Sequence, residues 1–226
     1  MPPARRVVTR SPKRTVGLIN CSWFQEKPIE HESRLEKHFV LRAMLFPGLA
    51  TIHHQPFELP LTRTGRSYTP DFLLTFLDGR SLVVEVKRSD KVEALKDRFD
   101  EITELLQVRA LEFYVVHQGQ IEGRKRASSA CLIRRYAALA CDEERVAPAV
   151  QFVQKKPNGV SILTLRVKFG LSQPSVLHLI SRRRIAVNHA LQLDAASLVF
   201  PIQKDLQNAS LQFGKWFGCA PWRTPA

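Results

Sequence analysis

The chain has 226 residues, enough for one large domain or two small ones with ample core. Its 44% hydrophobic content is that of a globular protein, no apolar run approaches the roughly 18 residues of a membrane helix, and Cys21, Cys131, Cys141 and Cys219 are scattered. They form neither a CxxC zinc pattern nor a disulfide framework. Charge is the exception: 34 Lys and Arg against 21 Asp and Glu give +13 and a pI near 10.1, which favours a polyanionic partner, foremost nucleic acid.

The N-terminus has no apolar h-region, so a secretory signal is not expected and a reducing cytosol is the expected compartment. Residues 1–19 read as a flexible basic arm. Its first fourteen residues hold Arg5, Arg6, Arg10, Lys13 and Arg14, three prolines and no acid. The arm either lies along phosphate when DNA is present or stays a solvated tail. A helix is expected between Ile29 and Phe46, with Leu35, Phe39, Ala43 and Phe46 near one face, ended by Pro47-Gly48. The stretch "LATIHHQPFELPL" is extended and punctuated by Pro56 and Pro60, as a bent or edge strand would be.

A hairpin turning at Asp78-Gly79 follows. A two-residue turn would put Asp71 on the opposite face from Glu85 and Lys87. A three-residue loop, with Gly79 in the left-handed bulge position, pairs Asp71 with Glu85. The alternation supports the loop: Phe72, Leu74, Phe76, Leu82, Val84 and Val86 then share one face, and Asp71, Glu85 and Lys87 project from the other. Facing carboxylates repel unless a cation lies between them. Oxygen ligands suit Mg²⁺, with Mn²⁺ as a substitute, and such an ion assists in-line displacement at phosphorus. Lys87 could orient or deprotonate the attacking water, or offset phosphoryl charge. Against this stands a plain surface ion pair, with Asp71 a turn residue after Pro70.

After Lys87 the period becomes helical. Val92, Leu95, Phe99, Ile102 and Leu106 form a stripe, with Asp90 and Glu93 arranged as a cap. "LEFYVV" (Leu111 to Val116) reads as a buried strand, parallel to the Glu85 strand through a right-handed crossover. The first block is therefore an αβββαβ core with one mixed sheet, spanning residues 20–119. Residues 120–126 are polar and basic, a linker. Residues 127–203 read as mainly helical, with helix, Gly170 turn and Ser172-led helix in a helix-turn-helix spacing, and "AVNHALQLDAASLVF" as a small wing. Arg182, Arg183 and Arg184 follow the second helix, placed for phosphate or for its macrodipole. Residues 204–226 read as a tail whose Trp216, Phe217 and Trp222 either anchor a partner surface or strap onto their own domain.

Other candidates carry less. His53 and His54 on a strand point to opposite faces, and His31 and His38 read as helix surface. No Gly-rich phosphate loop is present, so nucleotide hydrolysis is not expected.

"YTPDF" (Tyr68 to Phe72) and "VVEVK" (Val83 to Lys87) resemble the PD-(D/E)xK nuclease motif, whose restriction-endonuclease-like core is the αβββαβ order above. Together with "ESRLEKHF" (Glu32 to Phe39) and "HQPFEL" (His54 to Leu59) they resemble the TnsA family of transposon endonuclease subunits. The resemblance is good over residues 20–120 and extends only in kind to a winged-helix-like C-terminal domain. It implies a third acid on the first helix, Glu36, although Ser33 and Glu36 also form a capping box and Glu32 is the alternative. Some members carry Gln where this chain has Glu85. Gln55 could line the site or serve as a strand hydrogen-bonding residue. The family implies Mg²⁺-dependent cutting at the 5′ ends of a transposon during cut-and-paste transposition. Implied partners are double-stranded DNA, a DDE transposase (TnsB) and an AAA+ regulator (TnsC); the setting is the bacterial cytoplasm, at the nucleoid when acting. Two other readings stay open: a restriction, repair or junction-resolving nuclease of the same fold, and a non-catalytic helix-turn-helix regulator.

Overall fold

The computed structural model describes residues 15–203 and 206–224, so the basic side chains Arg5, Arg6, Arg10, Lys13 and Arg14 lie outside the described residues. The chain divides into two compact units. One takes in the chain up to Val40, Gly48–Ile121 and the chain from Leu206 onward; the other takes in Leu41–Pro47 and Glu122–Asp205.

In the first unit, β1 (Gly17–Ile19) pairs antiparallel with β2 (Ile29–His31) before α1 (Arg34–Ala43) begins. The helix expected from Ile29 thus starts five residues late. Ile29 to His31, His31 included, satisfy their backbone groups in a strand ladder, and Ser33 accepts the Glu36 N–H at 3.1 Å as an N-cap. Strand β3 (Leu49–His54) is the edge of a four-stranded sheet and bends at Gln55, whose φ is +40°. The chain then makes a separate hairpin, β4 (Leu59–Leu61) and β5 (Arg66–Tyr68). Next come β6 (Phe72–Phe76) and β7 (Ser81–Lys87), then α2 (Lys96–Gln107) and β8 (Glu112–His117). The sheet order is β3-β6-β7-β8, antiparallel except for the parallel β7–β8 pair. This is the mixed sheet expected from the sequence. The start of α2 differs: two 3₁₀ turns hold Ser89–Lys91 and Glu93–Leu95, and Asp90 accepts from Arg88 Nε at 3.1 Å, so no Asp90/Glu93 cap forms.

Each sheet face has its own cover. On one lie Phe72, Leu74, Phe76, Leu82, Val84 and Val86, all buried, beneath Phe39 of α1, whose ring is 5.3 Å from that of Phe72. On the other, Val83, Phe113 and Val115 pack with Phe99, Ile102 and Leu106 of α2 and with Leu59, Leu61 and Tyr68 of the small hairpin.

The segment after Leu206 corrects one expectation. It forms α8 (Ala209–Phe217), which lies on the Phe72 face. Phe213 meets Phe76 edge to face at 5.6 Å, and Phe217 lies 5.1 Å from Phe39. Gly214 permits this approach, because a Cβ there would sit 2.8 Å from Cys219 O and 3.0 Å from the Tyr114 ring. Beyond it, Trp222 N–H donates to Phe113 O at 2.7 Å, its indole N–H donates to Asp100 at 2.7 Å, and its ring packs 5.1 Å from Phe99. With Pro221 bridged to Tyr114, this strap covers the free edge of β8. Trp216, Phe217 and Trp222 are therefore core and strap of their own unit rather than free anchors: three large aromatics gain more from an apolar sheet face than from water.

Helix α3 (Gln118–Glu122) runs from the first unit into the stretch read as linker, where the helical path breaks at Arg124 and Lys125, at φ +54° and +63°. In the second unit, helices α4 (Arg126–Arg135) and α5 (Glu143–Gln154) lead to β9 (Val160–Ser161) and α6 (Ile162–Phe169). Gly170 ends α6 at φ +62°, and Ser172 caps α7 (Gln173–Ser181). Strands β10 (Ala186–Val187) and β11 (Leu198–Phe200) complete a three-stranded sheet of order β10-β11-β9. Among the described residues, no helix is long and apolar enough to cross a membrane.

Candidate active site

The site is built by the β6–β7 hairpin. Phe76 N–H donates to Arg80 O at 2.9 Å and Gly79 N–H to Phe76 O at 3.0 Å, closing a loop of Leu77, Asp78 and Gly79 with Gly79 at φ +82°. That left-handed position favours glycine. The register that follows pairs Phe72 with Val84, which sets Asp71 opposite Glu85 one step further on. Two hydrogen bonds lock the pair: Val86 N–H donates to Asp71 Oδ2 at 2.8 Å, and Asp71 N–H donates to Glu85 Oε2 at 3.4 Å.

Lys87 closes the constellation. Its Nζ lies 2.5 Å from Glu85 Oε1 and 3.6 Å from Asp71 Oδ2. The Glu85 side chain is 4% exposed, that of Asp71 20% and that of Lys87 28%, so the group opens to solvent on the Asp71 and Lys87 side. Tyr68 O–H donates to Glu85 Oε2 from the core side. Burial and the neighbouring Glu85 charge push the Asp71 carboxyl well above its usual range. For Lys87, burial opposes the charge, but Asp71 and Glu85 override it and hold the ammonium firmly protonated. Lys87 in this arrangement is a donor and a charge.

Do these groups suit a divalent cation? One ammonium faces two carboxylates, and the Glu85 charge adds to burial in raising the Asp71 pKa. Close by, Gln55 donates its backbone N–H to Asp71 O at 2.9 Å and its side-chain N–H to Glu32 Oε1 at 3.1 Å, while its own buried amide oxygen has no hydrogen-bond partner. Hard oxygen donors with net negative charge fit Mg²⁺ or Mn²⁺ with water completing the shell. The fit is to a pair of carboxylates: among the described residues no three His, Cys, Asp or Glu side chains converge as a metal-holding group.

Glu36 accounts for the difference from the expected three-acid set. Its Oε1 accepts from Ser33 Oγ at 2.8 Å and its Oε2 from Glu32 N–H at 2.7 Å, so the carboxylate is spent on the helix cap. It still feels the site. Burial raises its pKa, the Glu32 charge adds to this, and Lys87 opposes it. The arginine run is also redistributed. Arg184 forks onto Glu143 at 2.5 and 2.6 Å, and Arg183 Nη1 donates to Phe46 O at 3.3 Å. Arg182 is the exposed member. Arg183 and Arg184 thus serve the unit's own packing before any phosphate. Sequence reasoning gave Tyr68 no role. Its position three residues before Asp71 was a signal, but its bond to Glu85 depends on the β4–β5 hairpin folding back.

A mixed four-stranded sheet between helices, with an acid pair and a lysine at adjacent strand ends, fits a nuclease fold. A family model described as TnsA-like endonuclease N terminal matches residues 47–118. The match contains Asp71, Glu85 and Lys87 and excludes Glu36. No curated protein matches the chain.

Proposed function

We propose that the chain is the endonuclease subunit of a Tn7-type heteromeric transposase, hydrolysing phosphodiesters at the 5′ ends of the element in a Mg²⁺-dependent reaction. The observation that carries this is the in-register opposition of Asp71 and Glu85 with Lys87 between them, inside the stretch matched by the TnsA-like endonuclease family.

Asp71 and Glu85 would hold the ion, with Glu36 reaching it only by leaving its cap. A bound Mg²⁺ supplies Lewis-acid stabilisation of the charge that grows on the phosphate. Lys87, protonated, donates toward a non-bridging phosphate oxygen or orients the attacking water. Gln55 and the Val86 N–H keep Asp71 in place through its carbonyl and carboxylate. The net charge of +13 supports binding to the DNA backbone. In the second unit, α6, the Gly170 turn, α7 and the small β10-β11-β9 sheet support a winged-helix-like DNA-binding role, with Arg182 the exposed member of its arginine run. The family suggests a DDE transposase and an AAA+ regulator as the partners.

The test is calorimetric Mn²⁺ and Mg²⁺ titration of wild type, Asp71→Ala and Glu85→Ala in the presence of duplex DNA. Binding in wild type and its loss in both variants supports the nuclease reading. Absence of cation binding in wild type, with DNA affinity equal in all three proteins, refutes it in favour of a non-catalytic DNA-binding regulator.

A further inference from the structure

Tyr68 ends β5, and its ring is 3% exposed, packed in the cluster of Leu59, Leu61, Val83 and Phe99, with the Arg98 guanidinium 4.9 Å above its centroid. Packing accounts for the ring but not for the hydroxyl, which donates to Glu85 Oε2. The Glu85 carboxylate is thereby divided. Oε2 receives Tyr68 O–H and, at 3.4 Å, Asp71 N–H; Oε1 receives the Lys87 ammonium at 2.5 Å.

We propose that Tyr68 is a positioning residue that reserves one oxygen of Glu85, so that a divalent cation reaches the carboxylate only through the other, in exchange for the Lys87 ammonium held there, and that it so sets the ion preference of the site. This rests on the cation-dependent reading above and deepens it. A carboxylate oxygen that already accepts two hydrogen bonds is a poor ligand, so Glu85 is presented as a one-oxygen donor. Mg²⁺ and Mn²⁺ suit such a donor in a compact shell, whereas Ca²⁺ takes more ligands and readily accepts a carboxylate through both oxygens. Tyr68 therefore favours the smaller ions over Ca²⁺ without touching them.

Tyr68→Phe keeps the ring and removes only the hydroxyl. The experiment titrates the full chain, as wild type, Tyr68→Phe and Asp71→Ala, with MnCl₂, MgCl₂ and CaCl₂ by calorimetry. Tyr68→Phe is expected to weaken Mn²⁺ and Mg²⁺ about tenfold, the usual scale for an outer hydrogen bond to a ligand, while Ca²⁺ is unchanged or tighter. A loosened fold would weaken all three ions alike. Equal loss for all three, or no loss, overturns the inference and leaves the nuclease reading standing. If wild type binds no cation, or Asp71→Ala binds as well as wild type, the cation-dependent reading falls and this inference with it. A second measurement leaves Tyr68 in place. The Mg²⁺-induced infrared difference spectrum of wild type should show the wide carboxylate splitting of one-oxygen coordination at Glu85, judged against Glu85→Gln. A narrow, chelating splitting overturns the inference.

Discussion

Phe213→Ala tests whether the C-terminal helix is part of the first unit's core. The Phe213 side chain is fully buried, 4.9 Å from the Phe217 ring, 5.6 Å from Phe76 and 6.4 Å from Phe39. It therefore joins α8, α1 and the sheet at one point. Truncating a phenylalanine in such a place costs about 3–5 kcal/mol, from lost transfer energy and the cavity left behind. Set against a typical total of about 5–15 kcal/mol, this is a large share. The assay is equilibrium urea unfolding followed by tryptophan fluorescence, since Trp216 and Trp222 sit on the affected segment. With a urea slope of about 2 kcal/mol/M, the midpoint should fall by about 1.5–2.5 M. Leu211→Ala on the same helix is the control; Leu211 is half exposed, and its loss should stay within about 0.5 kcal/mol. A Phe213→Ala loss below about 1 kcal/mol, with native circular dichroism, would refute the packing argument and restore the tail as a free partner-binding peptide.

Three further outcomes follow from the site. Ser33→Ala removes the oxygen that accepts Glu36 N–H and should cost about 1 kcal/mol in a thermal melt, with cation affinity unchanged if Glu36 is a cap and not a ligand. Asp71→Asn should flatten a pH dependence. The folded-state Asp71 pKa is raised by burial and Glu85, so the folded chain holds a proton that the unfolded chain releases. Its contribution is present below the unfolded carboxylate range and is lost as pH rises through the folded value. Cation-free melts from pH 4 upward should show wild type falling relative to Asp71→Asn; parallel curves would sink the assignment. Arg182→Ala should weaken duplex binding and reduce the salt-dependence slope by about 0.9, whereas Arg184→Ala, which breaks the fork onto Glu143, should leave that slope unchanged.

The β6–β7 hairpin was legible because its information is local. Alternation fixed the apolar face, Gly79 fixed the loop, and together they fixed the register that opposes Asp71 and Glu85. What was illegible depends on distant partners. Nothing within Ile29 to His31 announces that it will pair with Gly17 to Ile19 rather than extend a helix. The Val92 and Leu95 positions continue the α2 stripe, and they do pack beside Phe99, but in 3₁₀ turns that apolar periodicity cannot distinguish from α-helix. Trp216, Phe217 and Trp222 look exposed in a Gly- and Pro-containing tail until a sheet face and a strand edge are available to receive them. Arg184 looks free until Glu143, far away in sequence, supplies its fork. Glu36 shows the limit from the other side. Its capping box was visible in S-x-x-E, and the structure spends both carboxylate oxygens on that cap.

The arrangement of Lys87 separates a cation site from a structural ion pair. A lysine that bridges two carboxylates neutralises one charge and occupies oxygens that an incoming cation needs. If the carboxylates are a cation site, removing the lysine should tighten cation binding even as it disables cutting. Two unit charges 4 Å apart interact by about 4 kcal/mol at an effective dielectric of about 20. The Lys87 side chain is 28% exposed, and solvent screening reduces this. A tenfold gain in Mn²⁺ affinity, about 1.4 kcal/mol, is therefore the expectation for Lys87→Met. The same variant should be less stable without cation, because Asp71 and Glu85 then face each other uncompensated, and should gain more in thermal midpoint when Mn²⁺ is added. An ion pair with only a structural role predicts otherwise: the cation-free stability loss without the recovery, and no tighter binding. Paired melts of wild type and Lys87→Met, with and without MnCl₂, distinguish the two, since only a cation site makes the ion replace what the lysine supplied.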